Sequence, residues 1–338
     1  MDKAQRGRGW SFATGPVTGI VAGAGYGMIA RLVFGFPTVL RGGHSAEAVF
    51  GVMTISFLFL VPVAVGAVAV VALPWELRVQ AWTWLVLPSA ACVALLLGVA
   101  VTLLEGAICI VMAAPVFFGF AMVGGVVAGL VLKHEEPRVK ALTALALVPF
   151  LGSPLELRAV PRAMQREVIT ERLVRASPEV LWREVIRVPE IREGELRGSF
   201  FTAIGIPRPL EARLDRDGVG ALRTASFRGG ITFREHIAVW RQNERLGFSI
   251  SVVPESILPG LLDEHVRVGS EHFDVTWGEF RLVPAGPQRT RLVLLSRHRL
   301  STRFNAYAGL WTDAVMRDLQ ERICEVVARR AEAAAIGQ

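Results

Sequence analysis

Glu235 is the residue whose type and surroundings most favour chemistry in this sequence. Alternate residues of a β-strand share one face, and on the predicted strand 231–241 that face is otherwise apolar, with Phe233, Ile237 and Val239. A carboxylate on an apolar face needs a cationic or hydrogen-bonding partner, or its pKa rises. Glu235 is therefore a candidate for orienting a polar group of a ligand or for acid–base catalysis. The alternative is a structural ion pair with a nearby arginine.

Two further strands and the final helix are expected to complete an apolar cavity around this carboxylate. The same alternation on the predicted strands 245–253 and 288–299, and two aromatic residues of the last helix, supply the other walls. The predicted cavity residues are Phe233, Glu235, Ile237, Phe248, Ile250, Leu294, Ser296, His298, Tyr307 and Trp311. His298 is a possible partner of Glu235, although a histidine at a strand end is more commonly satisfied by structural contacts.

Two loops are candidates for gating this cavity. The first is the tight Gly229-Gly230 connection, and the second is the insertion 254–269, which contains Pro259 and Gly260. The alternative for the insertion is a loop that packs on its own domain. No cofactor or metal is expected, because the three cysteines are isolated and the sequence contains neither a phosphate-binding loop nor a nucleophile elbow.

The elements that position these residues follow from alternation and turn signals. Asp217-Gly218, Gly229-Gly230 and Asn243-Glu244 separate short strands, as in an antiparallel meander. Ser177-Pro178-Glu179 begins a helix. The predicted strands are 166–176, 209–216, 220–227, 231–241, 245–253, 271–284 and 288–299, and the predicted long helix is 302–332. A curved sheet around one helix leaves a cavity between them.

Three segments carry a family resemblance. The run from Ala176 to Trp182 after the first strand, the run from Phe233 to Trp240 on a middle strand, and the final helix resemble the START-like, helix-grip superfamily. That superfamily includes polyketide cyclase/dehydrase and lipid-transport proteins. The resemblance covers residues 166–332 and implies an α+β domain whose cavity binds apolar small molecules. The whole chain is similar to uncharacterised bacterial proteins that join several membrane helices to such a domain.

The first half of the chain has the composition of a membrane domain. Residues 11–132 contain few charges, namely Arg31, Arg41, Glu47, Glu76, Arg78 and Glu105, whereas the second half is densely charged. Apolar stretches of about 20 residues predict transmembrane helices at 16–36, 48–73, 82–104 and 107–132. We therefore expect an all-α transmembrane bundle in residues 1–157 and a START-like soluble domain in residues 158–338.

Segment 141–152 leaves the topology open. Twelve helical residues cover only about 18 Å, less than a hydrocarbon core of about 30 Å, which favours an interfacial or re-entrant helix. Four spans then place the basic N-terminus, the Lys133–Lys140 segment and the soluble domain in the cytoplasm. A fifth, distorted span places the soluble domain on the other side. We expect a multi-pass protein of the plasma membrane.

The glycine spacing predicts close helix packing. Gly19, Gly23 and Gly27 form one smooth strip, and Ala121, Gly125 and Gly129 form another. These strips allow close packing between helices of the chain itself, between copies in a homo-oligomer, or against another membrane protein. Nucleic acid is not an expected partner, because acidic and basic residues alternate along the second half.

The sequence therefore favours a membrane-anchored protein that binds or transports a hydrophobic small molecule, such as a lipid, quinone, isoprenoid or polyketide-like compound. One alternative is a cyclase- or dehydratase-type enzyme that uses Glu235. The other is an accessory interaction subunit of a membrane complex.

Overall fold

A computed structural model describes residues 3–40, 51–134, 139–257 and 267–337 of the chain. It divides into two compact units, Met1–Pro161 and Arg162–Gln338. The first unit is helical. Its helices are α1 (Lys3–Leu40), a π-helical turn (Ser56–Leu60) continuing into α2 (Val61–Val71), α3 (Trp75–Arg78), α4 (Thr83–Val101), α5 (Ala107–His134) and α6 (Val139–Leu157).

Three helical segments are long and apolar enough to cross a membrane: Gly15–Gly35, Thr83–Val101 and Ala107–Leu132. They correspond to three of the four predicted spans. The described part of the fourth, predicted at 48–73, is a shorter helix, Ser56–Val71. It begins at Ser56 because the Glu156 carboxylate accepts hydrogen bonds from the backbone N–H groups of Ile55 and Ser56, at 2.5 and 3.0 Å.

The segment predicted at 141–152 is longer than expected. Helix α6 has 19 residues and continues through Pro149 and Pro154 to Leu157. Proline is tolerated inside such helices where neighbouring groups satisfy the freed backbone. The Tyr26 hydroxyl also ties α6 to α1 beside Pro149, because it donates to the carbonyl oxygen of Ala146 at 2.6 Å.

The glycine strips allow close packing inside the first unit, as the spacing predicts. A Cβ atom at Gly23 would lie 2.9 Å from the Ala69 Cβ atom and 3.0 Å from the Val65 carbonyl oxygen. In the second strip, a Cβ at Gly125 would overlap the Trp84 carbonyl oxygen, so α5 and α4 approach closely there. Within the described residues, both strips therefore face the chain's own helices.

Glu105 lies in the connection between α4 and α5. Its Oε1 atom lies 2.7 Å from the Nε atom of Arg31 on α1, and Arg31 Nη2 donates to the Leu104 carbonyl oxygen at 2.7 Å. Both charged side chains are 12% exposed. The pair fixes the end of α1 to this connection.

The second unit is one antiparallel sheet with a long helix. Its elements are β1 (Met164–Val174), α7 (Pro178–Ile186), α8 (Phe200–Ala203), β2 (Pro209–Leu214), β3 (Leu222–Phe227), β4 (Thr232–Arg241), β5 (Arg245–Val252), β6 (Phe273–Pro284), β7 (Thr290–Leu300) and α9 (Asn305–Ile336). The strand order is β1-β7-β6-β5-β4-β3-β2, so the first strand pairs with the last. The sheet is curved, and the arrangement is consistent with the helix-grip fold that the sequence predicts.

The core of this unit lies between the concave face of the sheet and the helices α7 and α9. Leu181 on α7, Leu246 on β5, Leu292 on β7 and Val327 on α9 are almost fully buried in one cluster. A bulge in β4 between Ile237 and Val239 changes the alternation there. Trp240 therefore packs against this core, with its ring 5.2 Å from that of Trp182.

Candidate functional site

A cavity of about 120 Å³ lies in the second unit, where strands β2 to β7 approach the middle of α9. Its wall is mainly apolar and aromatic, with four phenylalanine rings. The lining residues on the strands include Ala212, Arg223, Phe227, Phe233, Glu235, Phe248, Ile250, Phe280, Leu294 and Ser296, and those on α9 are Met316, Leu319, Gln320 and Ile323. This volume is close to that of a cavity of about 150 Å³ that holds benzene.

Six of the ten predicted cavity residues line this space: Phe233, Glu235, Phe248, Ile250, Leu294 and Ser296. Ile237 does not line it; this side chain is buried in the core beside the β4 bulge. Tyr307 and Trp311 do not line it either, because the lining residues of α9 begin a turn later, at Met316. Both aromatic side chains are half-buried.

His298 also lies outside the cavity lining and belongs to a different cluster. Its Nε2 atom is 3.2 Å from the Thr312 hydroxyl oxygen and 3.5 Å from Asp313 Oδ1. Asp313 accepts two hydrogen bonds from Arg166, at 2.9 and 2.5 Å. Burial lowers the pKa of His298, with the Asp313 carboxylate acting against that change. The His298 ring therefore serves to join β7 to α9.

The predicted gating loops are placed only in part. Gly229 and Gly230 form the β3–β4 turn with left-handed φ angles of 83° and 89°, a conformation that favours glycine. They do not line the cavity, although Phe227 and Phe233 on either side do. Pro259 and Gly260 lie outside the described residues.

Glu235 has the arginine partner that the alternative interpretation requires. Arg223 on β3 is its register partner across the sheet, and Arg223 Nη1 donates a short hydrogen bond to Glu235 Oε2. Arg223 is 4% exposed and Glu235 is 7% exposed. The guanidinium carbon of Arg223 lies 5.4 Å from the centre of the Phe248 ring and 6.0 Å from that of Phe280, within reach of cation–π attraction.

One nitrogen atom of Arg223, Nε, takes no part in these contacts. Arg223 Nη2 donates to the Val185 carbonyl oxygen at 3.4 Å, whereas the buried Nε–H has no hydrogen-bond partner among the described residues. A buried donor without a partner costs about 1–3 kcal/mol. Burial raises the pKa of Glu235, and the Arg223 charge opposes that rise. The polar part of the cavity is thus an ion pair with a spare N–H.

Gln320 is a lining residue that the sequence does not single out. Its Nε2 atom donates to the Val168 carbonyl oxygen at 3.0 Å and to the Ser296 hydroxyl at 2.9 Å, and its Oε1 atom accepts from the Thr170 hydroxyl at 2.8 Å. This amide therefore holds α9 against β1 and β7 at the cavity floor. The available signal is spacing: Met316, Gln320 and Cys324 recur every four residues on one helix face.

The arrangement suits binding of a small apolar molecule with one polar group. Rings and aliphatic side chains form most of the wall, and its charged residues are the buried pair Arg223–Glu235 and the partly exposed Glu211. Among the described residues, no group of three or more histidine, cysteine, aspartate or glutamate side chains could hold a metal ion.

Among known proteins, the chain resembles solved structures only. No family model and no curated protein matches the chain. An uncharacterized protein from Rhizobium leguminosarum is 13% identical, with a TM-score of 0.32 over 52% of this chain and 99% of that chain. Truncated norcoclaurine synthase from Thalictrum flavum is 13% identical, with a TM-score of 0.30 over 49% and 94%.

A protein from the dynemicin biosynthetic locus is 18% identical, with a TM-score of 0.30 over 50% of this chain and 48% of that chain. Because these identities and TM-scores are low, the likenesses assign neither an activity nor a ligand to this chain.

Proposed function

We propose that this chain is a membrane-anchored binding protein for a small apolar molecule that carries a hydrogen-bond acceptor. The observation that carries the proposal is the buried Arg223, which lines a mainly apolar cavity and whose Nε–H has no partner among the residues that the structure describes. An acceptor oxygen on the bound molecule satisfies that donor, and the surrounding rings bury the rest of the molecule.

The cavity size restricts the ligand. Sites for drug-sized molecules usually enclose about 300–1,000 Å³, whereas this cavity is about 120 Å³. A single substituted ring fits the closed form. A quinone, polyketide-like compound or lipid would place only one ring or chain end there, unless α9 or the neighbouring loops move outward.

The three long apolar helices support the membrane anchor. An anchor keeps the cavity near molecules that dissolve in lipid, which raises their effective concentration at the site. Binding, and not spontaneous transport between membranes, is therefore the activity that we assign to the second unit.

Binding can be measured on the full chain in lipid nanodiscs by ligand-observed NMR, with empty nanodiscs as a blank. Acetophenone and α-methylstyrene have nearly the same shape, but only acetophenone has an acceptor oxygen. We expect acetophenone to bind about five- to tenfold more tightly, as one net hydrogen bond allows. Arg223→Met should abolish this preference, and so should Arg223→Met/Glu235→Leu, which leaves no unpaired buried charge. Arg234→Met, on the exposed face of β4 and outside the cavity lining, should retain it.

Absence of binding by both compounds would refute the proposed function, and equal affinities would refute the role of Arg223. The natural ligand can be sought by solvent extraction and mass spectrometry of chain purified from membranes. Ala212→Leu, which fills the cavity wall, is the matched control, and a compound lost from this variant is a cavity ligand.

A cyclase- or dehydratase-type enzyme is the second candidate. The place of Glu235 in the cavity wall and the burial that raises its pKa favour it. The ion pair with Arg223 weighs against it, because it occupies one carboxylate oxygen. Turnover of a polyketide-like substrate that Glu235→Gln removes, with the fold and binding intact, would favour the enzyme.

A further inference from the structure

The direction of each helix in the first unit can be followed from its end contacts. We call one end of the bundle the Gly15 end; a Cβ atom at Gly15 would lie 2.8 Å from the Leu77 Cδ1 atom. We call the other the Glu105 end, where Arg31 pairs with Glu105. The Phe34 and Phe57 rings are 5.3 Å apart, so the helix Ser56–Val71 begins at the Glu105 end.

The next two helices continue this alternation. Helix α4 begins at the Gly15 end, because Thr83 donates to the Leu77 carbonyl oxygen at 2.8 Å, and it ends just before Glu105. Helix α5 begins just after Glu105 and returns, so that Gly129 lies against the Trp84 ring. After four helices the chain is back at the Gly15 end.

Helix α6 then runs the full depth of the bundle. Near its start, Leu145 packs with Val70, Trp84 and Leu132 at the Gly15 end. In the middle, the Phe150 ring lies 6.2 Å from that of Tyr26 and 5.5 Å from that of Phe34. At its end, Glu156 accepts hydrogen bonds from the Ile55 and Ser56 backbone, at the Glu105 end. A re-entrant segment would not join both ends.

One side of α6 has large apolar side chains that no other described residue covers. The exposed residues are Leu147 (54%), Val148 (41%), Leu151 (68%) and Leu155 (65%). Their spacing of three and four residues places Leu147, Leu151 and Leu155 on one face. Helix α6 runs the full depth of an apolar bundle whose helices are long enough to cross a membrane. The acyl chains of lipids therefore fit as the partner of this exposed face.

We propose that α6 is a fifth membrane crossing, that its exposed leucine face contacts lipid, and that the residues after Pro161 begin on the membrane side opposite the N-terminus. Its 19 residues cover about 28 Å. Its apolar part, Ala144–Leu157, is shorter than the three long apolar helices, and such a mismatch with the hydrocarbon thickness is accommodated by local thinning of the bilayer. This inference rests on the membrane anchoring proposed above and is independent of the ligand.

The basic residues then give the orientation. Lys3, Arg6 and Arg8 precede the Gly15 end, and Lys133 near the end of α5 and Lys140 near the start of α6 belong to the same end. Arg138 stands between these two lysines in the sequence. Under the positive-inside rule this end is cytoplasmic. The second unit therefore lies outside the cytoplasm. The contacts of α6 favour the five-span alternative over the four-span alternative that the length of 141–152 suggests.

Cysteine labelling of the full chain in bacterial spheroplasts tests this topology. Gln288→Cys lies in the exposed turn between β6 and β7, and Glu76→Cys lies on the exposed face of α3 at the Gly15 end. We expect a membrane-impermeant maleimide to label Gln288→Cys in intact spheroplasts and Glu76→Cys after lysis only. The unsubstituted chain, whose Cys92 and Cys324 are buried and whose Cys109 is partly buried, gives the background that is subtracted.

Labelling of both cysteines under the same condition, or the reverse pattern, overturns the proposal. Resistance of the chain to carbonate extraction is measured in parallel. Release of the chain from the membrane pellet would instead refute the anchor, so the two failures are distinguishable.

Discussion

Arg223 on β3 and Glu235 on β4 face each other across the sheet, and they form a buried ion pair in a mainly apolar cavity wall. A buried pair of this kind contributes little net stability relative to apolar residues, but removal of one partner leaves an uncompensated charge. The position of the Arg223–Glu235 pair in the cavity wall is therefore more important for ligand recognition than for the free energy of unfolding.

Arg223→Met should destabilise the second unit by about 3–5 kcal/mol, because Glu235 stays buried without its partner. The double variant Arg223→Met/Glu235→Leu should regain most of that loss. Hydrogen exchange of the β3 and β4 amides in the full chain measures both. Arg213→Met, on an arginine that is 76% exposed, is the control. An Arg223→Met effect as small as that of the control would contradict the prediction.

Gln320→Leu should lower the free energy of unfolding by about 1–3 kcal/mol, because the Ser296 hydroxyl and the Val168 carbonyl oxygen lose their partner. Thermal unfolding of the full chain, followed by tryptophan fluorescence, measures the change. Glu321→Gln, on the exposed side of the same helix turn, should have little effect. Equal stability of the two variants would show that the amide is dispensable.

Gly124→Ala should destabilise the helical unit, since the added methyl group meets the backbone of Val63 on α2. Gly119→Ala on the same helix has no atom within 4 Å of the new Cβ and should be neutral or slightly stabilising. The monodisperse fraction that survives heating in detergent measures both variants. A loss of the same size at Gly119 would point to helix propensity instead of packing.

Glu195 should make the stability of the second unit depend on acid pH. Its two carboxylate oxygens accept hydrogen bonds from Arg330 on α9 at 2.8 and 2.9 Å, and these bonds lower the pKa of Glu195 to about 2. The unfolded pKa is about 4.3. The stabilisation is therefore complete above that pH and is lost as the pH falls towards 2.

We expect the Tm difference between the wild type and Glu195→Gln to be largest near neutral pH and to shrink below about pH 4. Glu193→Gln, whose side chain is 80% exposed, is the control two residues away. A Tm difference that does not change with pH would contradict the assigned role of Glu195.

The strands were predictable because alternation and turn residues are local signals. All seven strands of the second unit and the inward direction of Glu235 follow from them, since Phe233, Glu235 and Ile237 point to one face. Arg223 was not identified as the partner, because a sequence gives no register between strands. The register of β3 and β4 is fixed by the Gly229-Gly230 turn and by packing.

The helices were harder to predict in detail. The aromatic residues Tyr307 and Trp311 suggested the cavity face of α9, but curvature of the sheet places the cavity opposite Met316 and Gln320. For α6, the apolar segment was predicted to end at residue 152, and the contacts that carry the helix on to Leu157 come from Tyr26 and Ser56, far away in the sequence.

The pairing of β1 with β7 has a consequence for biosynthesis. The Gln320 amide and the Val168 carbonyl oxygen that it contacts are 152 positions apart in the chain. Until β7 and α9 have left the ribosome, β1 has no partner strand and the concave face of the sheet is not covered. Such long-range contacts form slowly and leave apolar surface open to aggregation. Loss of the last few dozen codons should therefore send the nascent product to chaperones and proteases.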